Sequence, residues 1–333
     1  MKVVIVGSGA AGVGLAEELK RQAPDAAITL VTRDTQGFYA RPSLSHSFSQ
    51  DDSVRRIVIK TFSALAGAGI EIRAGAEAVA ISRPTRQLEV ADANGGREQL
   101  AYDGLVLAPG SEAFVPPAWA GGREHFFVLN RLEDMQAMRA LRARVAATSL
   151  PTLHWAIVGG GLIGLELASD LRKAGDAVTV YHAADRLLER TLDAETSERL
   201  LTHLQGQGIE IMLGQRVESF SSPAEDAVTV TAASGARTFA AAVVAIGFRP
   251  RTELAAAAGL AVGRGIVCDR RFATEDPAIW AVGDAAEVDG VLYPFVVPIV
   301  SQGKHLASLL SGKSSAEWMA PSFPIRIKIH GFR

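Results

Sequence analysis

The feature that most restricts how this chain can fold is a short apolar run ending in a glycine-spaced turn, and it occurs twice. Residues 3–6 (VVIV) are wholly apolar, as expected of a parallel strand covered on both faces, and run into Gly7-Ser8-Gly9-Ala10-Ala11-Gly12. In such a GxGxxG turn the first glycine permits the sharp reversal. The second lets the main chain approach a pyrophosphate, and the third lets the following helix pack closely on the strand with its N-terminal amides facing the phosphates. Residues 154–158 (HWAIV) lead in the same way into Gly159-Gly160-Gly161-Leu162-Ile163-Gly164, displaced by 152 residues from the first copy. Later pieces echo one another too: Glu71-Ile72-Arg73-Ala74-Gly75 with Glu210-Ile211-Met212-Leu213-Gly214, and residues 104–110 with 242–247. One glycine-rich turn can be only a turn. Two, each inside a repeated strand–turn–helix unit, predict an α/β chain with two Rossmann-like dinucleotide-binding domains.

Length agrees, since 333 residues exceed the roughly 100–200 that one domain usually spans. The formal net charge of −2 gives no reason to expect nucleic acid or an anionic membrane as partner. Cys268 is the only cysteine, which excludes an intramolecular disulfide and a CxxC redox centre and fits a reducing cytoplasm. The apolar N-terminus is broken by glycines and reaches Glu17 and Glu18 too early for a span, and no run approaches the ~20 apolar residues of a membrane helix. No metal site is expected.

Three further stretches, Leu105-Val106-Leu107-Ala108-Pro109-Gly110, Val244-Ala245-Ile246-Gly247-Phe248-Arg249-Pro250 and Ile279-Trp280-Ala281-Val282-Gly283-Asp284, resemble segments of the two-dinucleotide flavoprotein reductases. The resemblance implies that the first two, with Gly110 and Gly247, are crossings between domains. It implies that Gly283-Asp284 sets a carboxylate on the ribityl chain of FAD. It also implies a discontinuous FAD domain over 1–112 and 248–320 with a nicotinamide nucleotide domain, 113–247, inserted in it. Because Asp284 belongs to the split domain, FAD falls to Gly7, Gly9 and Gly12, and the nicotinamide nucleotide to Gly159, Gly161 and Gly164.

Within that superfamily the chain is similar to bacterial rubredoxin and flavorubredoxin reductases. Phe38-Tyr39-Ala40-Arg41-Pro42-Ser43-Leu44-Ser45 resembles a segment lying along the FAD pyrophosphate and toward the flavin, which brings in Arg41 and Pro42. The strand-ending acid that usually holds the adenosine ribose is replaced by Thr32, with Asp34 two residues later. Val297-Pro298-Ile299-Val300-Ser301-Gln302 opens a helix that in the family points its N-terminus at the flavin, where the helix dipole stabilises negative charge on the reduced ring. Pro298 suits such a first turn, although it would equally start an ordinary surface helix.

The implied chemistry is hydride transfer from NADH to flavin and onward delivery of single electrons to rubredoxin or a similar small carrier. Glu166 occupies the place of Gly14 in the second copy and is expected beside the nicotinamide, paired with Arg41 or His46; its alternative role is to complement its own helix terminus. His182 and Arg186 follow the second strand of the inserted domain and could hold a 2′-phosphate, which leaves NADPH open while the resemblance implies NADH. Cys268 reads as a buried apolar residue. An acidic carrier would call for a basic patch, either Arg55, Arg56 and Lys60 or Arg139, Arg142 and Arg144. Residues 321–333 read as the opening of a truncated C-terminal domain. A ferredoxin reductase, or a flavoprotein with little turnover, are the competing functions.

Overall fold

The strand Lys2–Val6 lies at the centre of a five-stranded parallel sheet, ordered Ile279–Ala281, Gly104–Leu107, Lys2–Val6, Ala27–Thr32, Glu71–Ala74. Its apolar residues are buried on both faces, as a sheet covered by helices on either side requires. The helix Ala10–Gln22 follows directly and buries Ala11, Val13, Leu15, Ala16 and Leu19. Against it packs the helix Val296–Leu310, so closely that a Cβ on Gly303 would stand 2.6 Å from the Ala11 carbonyl oxygen.

A second five-stranded parallel sheet repeats the plan, in the order Phe127–Val128, Ala241–Val244, His154–Val158, Ala177–Tyr181, Glu210–Met212. Each sheet is accompanied by a three-stranded antiparallel meander inserted at the same point of the chain order: Glu77–Ser82, Gln87–Ala91, Arg97–Ala101 in the first and Val217–Ala224, Ala227–Ala232, Gly235–Phe239 in the second. The copies differ at one edge. The outer strand beside Gly104–Leu107 comes from late in the chain, whereas its counterpart Phe127–Val128 precedes the strands it joins.

The structure is a computed structural model that describes residues 1–50, 56–147 and 152–332. Its Cα packing divides the chain into a first unit, Met1–Ala40, Val58–Glu112 and Arg249–Pro324, and a second unit, Arg41–Ile57, Ala113–Phe248 and Ile325–Arg333. The chain passes between units next to residues 112 and 248, where the resemblance puts its crossings. Residues 41–57 and those after 324 pack with the second unit, although the sequence reading assigns the former to the split domain. The cause is the helix Leu162–Lys173. Asp170 on it accepts the backbone N–H groups of Phe48 and Ser49 at 2.7 and 3.1 Å, and Ser169 Oγ accepts the His330 N–H at 3.3 Å.

Candidate functional site

The glycine loop of the first unit divides labour among its three glycines. Gly7 has φ +111°, and an added Cβ would overlap the Ala108 carbonyl oxygen; one on Gly12 would overlap the carbonyl oxygen of Gly7. Gly9 is different. It has φ −73°, accepts any residue conformationally, caps the helix Ala10–Gln22 without a side-chain bond, and has nothing within 4 Å of its Cβ position. The middle glycine therefore faces open space at a helix N-terminus that no side chain caps, the form a pyrophosphate cradle takes. Ser8 ties the loop to the second strand: its hydroxyl donates to Asp34 at 3.0 Å and lies 2.8 Å from Thr32 Oγ1. Ala10 and Ala11 begin the helix, and Ala11 is buried.

Further along the same unit, Gly283 has φ +82° and donates its N–H to Gln302 Oε1 at 2.7 Å. Asp284 follows, half-buried, and accepts the Ser111 hydroxyl at 2.9 Å. Gln302 is fully buried, yet its Nε2 has no hydrogen-bond partner among the described residues. A buried amide donor without a partner beside an aspartate, together with the open cradle at Gly9, fits a large polar cofactor such as FAD. Gly110, at φ +73°, accepts the Arg251 N–H through its carbonyl at 3.0 Å. Pro298 is buried in the first turn of its helix, where Val296 and Val297 remain 47% and 49% exposed.

The loop of the second unit repeats the geometry. Gly159 has φ +122°, and a Cβ there would overlap the Ala245 carbonyl oxygen; one on Gly164 would overlap that of Gly159. Gly161, at φ −86°, caps the helix Leu162–Lys173 and has open space at its Cβ position. Leu162 and Ile163 form that helix's first turn. Here the loop is held by a histidine: the Gly160 N–H donates to His182 Nδ1 at 3.1 Å, while His182 Nε2 lies 3.3 Å from Glu189 Oε2. Arg186 donates to the carbonyl oxygens of Glu189 and Leu192, each at 2.7 Å, so its guanidinium shapes the loop 186–192. Gly247 has φ +122° and is exposed, and its carbonyl accepts the Phe114 N–H at 2.9 Å.

On the helix behind this loop, Glu166 is buried, 7% exposed. Its Oε2 accepts the Ser45 hydroxyl at 3.0 Å and lies 3.2 Å from His46 Nε2; its Oε1 accepts the Lys328 N–H at 3.2 Å. Ser45 and His46 belong to the 3-10 segment Arg41–His46, which Asp170 anchors one helical turn further on. Arg41 and Pro42 start that segment, half-buried. Of the two partners weighed for Glu166, the structure brings His46 to it.

The sequence profile described as pyridine nucleotide-disulphide oxidoreductase matches residues 1–304. The chain belongs to this family. A pyridine nucleotide-disulphide oxidoreductase relative from Vibrio vulnificus strain CMCP6, "Nitric oxide reductase FlRd-NAD(+) reductase", is 33% identical over 336 residues, covering 98% of this chain and 84% of its own. Its namesake from Salmonella agona is 34% identical, covering 98% and 83%. Among solved structures, a putidaredoxin reductase–putidaredoxin covalent complex is 30% identical with a TM-score of 0.85, covering 97% of this chain and 78% of that one.

Within this family member, several expected side chains have other employment. Arg139 donates to the carbonyl oxygens of Ser47 and Gln50, Arg142 to Asp176 at 2.8 Å and the Ala174 carbonyl at 2.5 Å, and Arg144 pairs with Asp226. Each is thereby tied to acceptors within the second unit. Arg56 donates to Gln50, Lys60 pairs with Glu17, and Arg55 lies outside the described residues. Cys268 is buried, and desolvation pushes its thiol up to about 12. Glu189 and Asp170 belong to no motif of the sequence, and Ser45 and Gln302 stand in the quoted segments without a role of their own. Buried polar positions inside apolar helices, at 170 and 302, were the signal available for two of them.

Proposed function

We propose that the chain is an FAD-dependent oxidoreductase that draws hydride from NADH and passes electrons one at a time to a small carrier of the rubredoxin class. The observation that carries this reading is the presence, in one chain of this family, of two glycine loops whose middle glycines, Gly9 and Gly161, both face open space at an uncapped helix terminus. Bound FAD would supply acceptance of a hydride and release of single electrons. The protein's part is position and field.

In this reading Gly7, Gly9 and Gly12 hold the FAD pyrophosphate on the N-terminus of the helix Ala10–Gln22. Asp284 accepts ribityl hydroxyls, Gln302 Nε2 donates to the cofactor, and Pro298 opens a helix whose dipole favours negative charge on the reduced ring. The second unit takes NADH on Gly159, Gly161 and Gly164. The committed guanidinium of Arg186 and the carboxylate of Glu189 beside His182 favour a 2′-hydroxyl over a 2′-phosphate. Glu166, held by Ser45 and His46, orients the nicotinamide; hydride transfer itself needs no general acid from the chain. The names of the Vibrio and Salmonella relatives support NADH as donor and a rubredoxin-like acceptor. Among the described residues no helix is long and apolar enough to cross a membrane, and a reducing cytoplasm is the proposed compartment.

Anaerobic titration tests the reading. NADH should bleach the flavin absorbance within the mixing experiment, and oxidised rubredoxin should restore it. Retained FAD that NADH does not bleach would overturn it, and faster reoxidation by a ferredoxin would reassign the acceptor.

A further inference from the structure

The helix Leu162–Lys173 carries Glu166 and Asp170 four residues apart and therefore on one face. Both are buried, Asp170 completely. Two imidazoles converge on them from separate segments of the second unit. His46 Nε2 lies 3.2 Å from Glu166, and His330 Nε2 lies 3.1 Å from Asp170 Oδ1. The two rings meet edge to face, centroids 6.2 Å apart. One ligating atom each of His46, Asp170 and His330 falls within 4.8 Å of the other two.

We infer that this cluster is a divalent transition-metal site of the zinc type, with His46, Asp170 and His330 as its three protein ligands and Glu166 beside His46. Imidazole nitrogen and carboxylate oxygen are the donors that zinc accepts alongside thiolate. A tetrahedral ion with bonds of about 2.0–2.1 Å wants ligand atoms about 3.3 Å apart, so a contraction of roughly 1.5 Å closes the widest gap. Side-chain rotation can supply it, because the ligands come from three independent segments: Arg41–His46, the helix, and residues 325–332.

The surroundings support ligation. Asp170 is oriented by outer bonds, Oδ2 accepting the N–H groups of Phe48 and Ser49 and Oδ1 the Ser49 hydroxyl at 2.5 Å, as ligand carboxylates usually are. Two carboxylates buried beside two imidazoles gather oxygen and nitrogen donors of the kind a divalent cation takes. A metal here takes up His46 Nε2 and so disturbs its contact with Glu166. If these orient the nicotinamide, a consequence that rests on the proposed function, the ion inhibits NADH-dependent reduction.

The chelator-stripped holoprotein is titrated with Co2+, whose visible ligand-field bands report coordination without turnover. One Co2+ per chain is expected, displaced by Zn2+. In His330→Ala, affinity should fall by more than the roughly 10–100-fold that an outer-shell change costs, with flavin absorbance and the native circular dichroism spectrum retained. Should that variant fold poorly, His330→Gln keeps a polar side chain of similar reach and serves the same purpose. Absence of Co2+ bands in the native protein, or their persistence in a His46→Ala/His330→Ala double variant, overturns the site. Bands present while Zn2+ leaves flavin reduction unaltered would keep the site and overturn the placement of Glu166 beside the nicotinamide.

Discussion

A single methyl group separates the roles of the loop glycines. Gly9→Ala meets no neighbour and strains no backbone, so the variant should keep the native circular dichroism spectrum and unfolding behaviour while FAD content falls, because the methyl stands where the pyrophosphate would. Gly7→Ala and Gly12→Ala strike backbone carbonyls instead and should fail as folding variants, costing more than the ~1–3 kcal/mol of ordinary overpacking, read as lost soluble yield. Equal flavin loss with intact folding in all three would contradict this division. Cys268 offers a pH-dependent test. Its thiol is pushed up to about 12 by burial, so the folded state holds its proton while the unfolded chain releases it near pH 8.5. Stability from this group is present below about pH 8.5 and declines as pH rises above it. Chemical denaturation at pH 8 and pH 10 should show that decline, and Cys268→Ala should lessen it. In the native protein at pH 8 a thiol reagent should label Cys268 only upon unfolding.

At the scale of elements, the segment Arg41–His46 and the residues that follow it are held by one carboxylate. Asp170→Asn weakens charge-assisted bonds to Phe48, Ser49 and His330, each worth about 1.5–3 kcal/mol. The second unit should lose about 2–4 kcal/mol in urea, and hydride transfer should slow with it, because the segment positions Ser45 and His46. Glu166→Gln is the sharper variant: folding is kept, while NADH-dependent flavin reduction slows by roughly ten- to a hundredfold, the rate equivalent of one such bond. An unchanged rate in rapid mixing would leave Glu166 a structural residue. Sequence places Glu166 in the helix after the second glycine loop and offers His46 as one of two partners; that His46 reaches it depends on where Asp170 pins the chain, 121 residues from Ser49. Which acceptors Arg139, Arg142 and Arg144 meet, the Ser47 and Ala174 carbonyls and Asp226 among them, is likewise set by other segments and not by the helix sequence.

For the molecule as a whole, ligand binding should stabilise the two units separately. Removing FAD should lower the midpoint of one thermal transition and re-addition restore it, by about 2.7 kcal/mol at a hundredfold excess over Kd. NAD+ should raise the other transition, and Gly161→Ala should abolish that second effect while leaving the first intact. What the sequence determined by itself was the duplication, the two cradles and the α/β layering, because glycine spacing and apolar strand runs are local and their physics acts within a few residues. The flavoprotein family was legible as well, carried by short segments such as Gly283-Asp284 that keep their chemistry wherever the chain leads. The tertiary structure alone decided that residues 41–57 join the second unit, that Gln302 supports Gly283, and that His46, Glu166, Asp170 and His330 converge. Each of these depends on side chains far apart in sequence meeting at one point, and no local periodicity encodes that meeting.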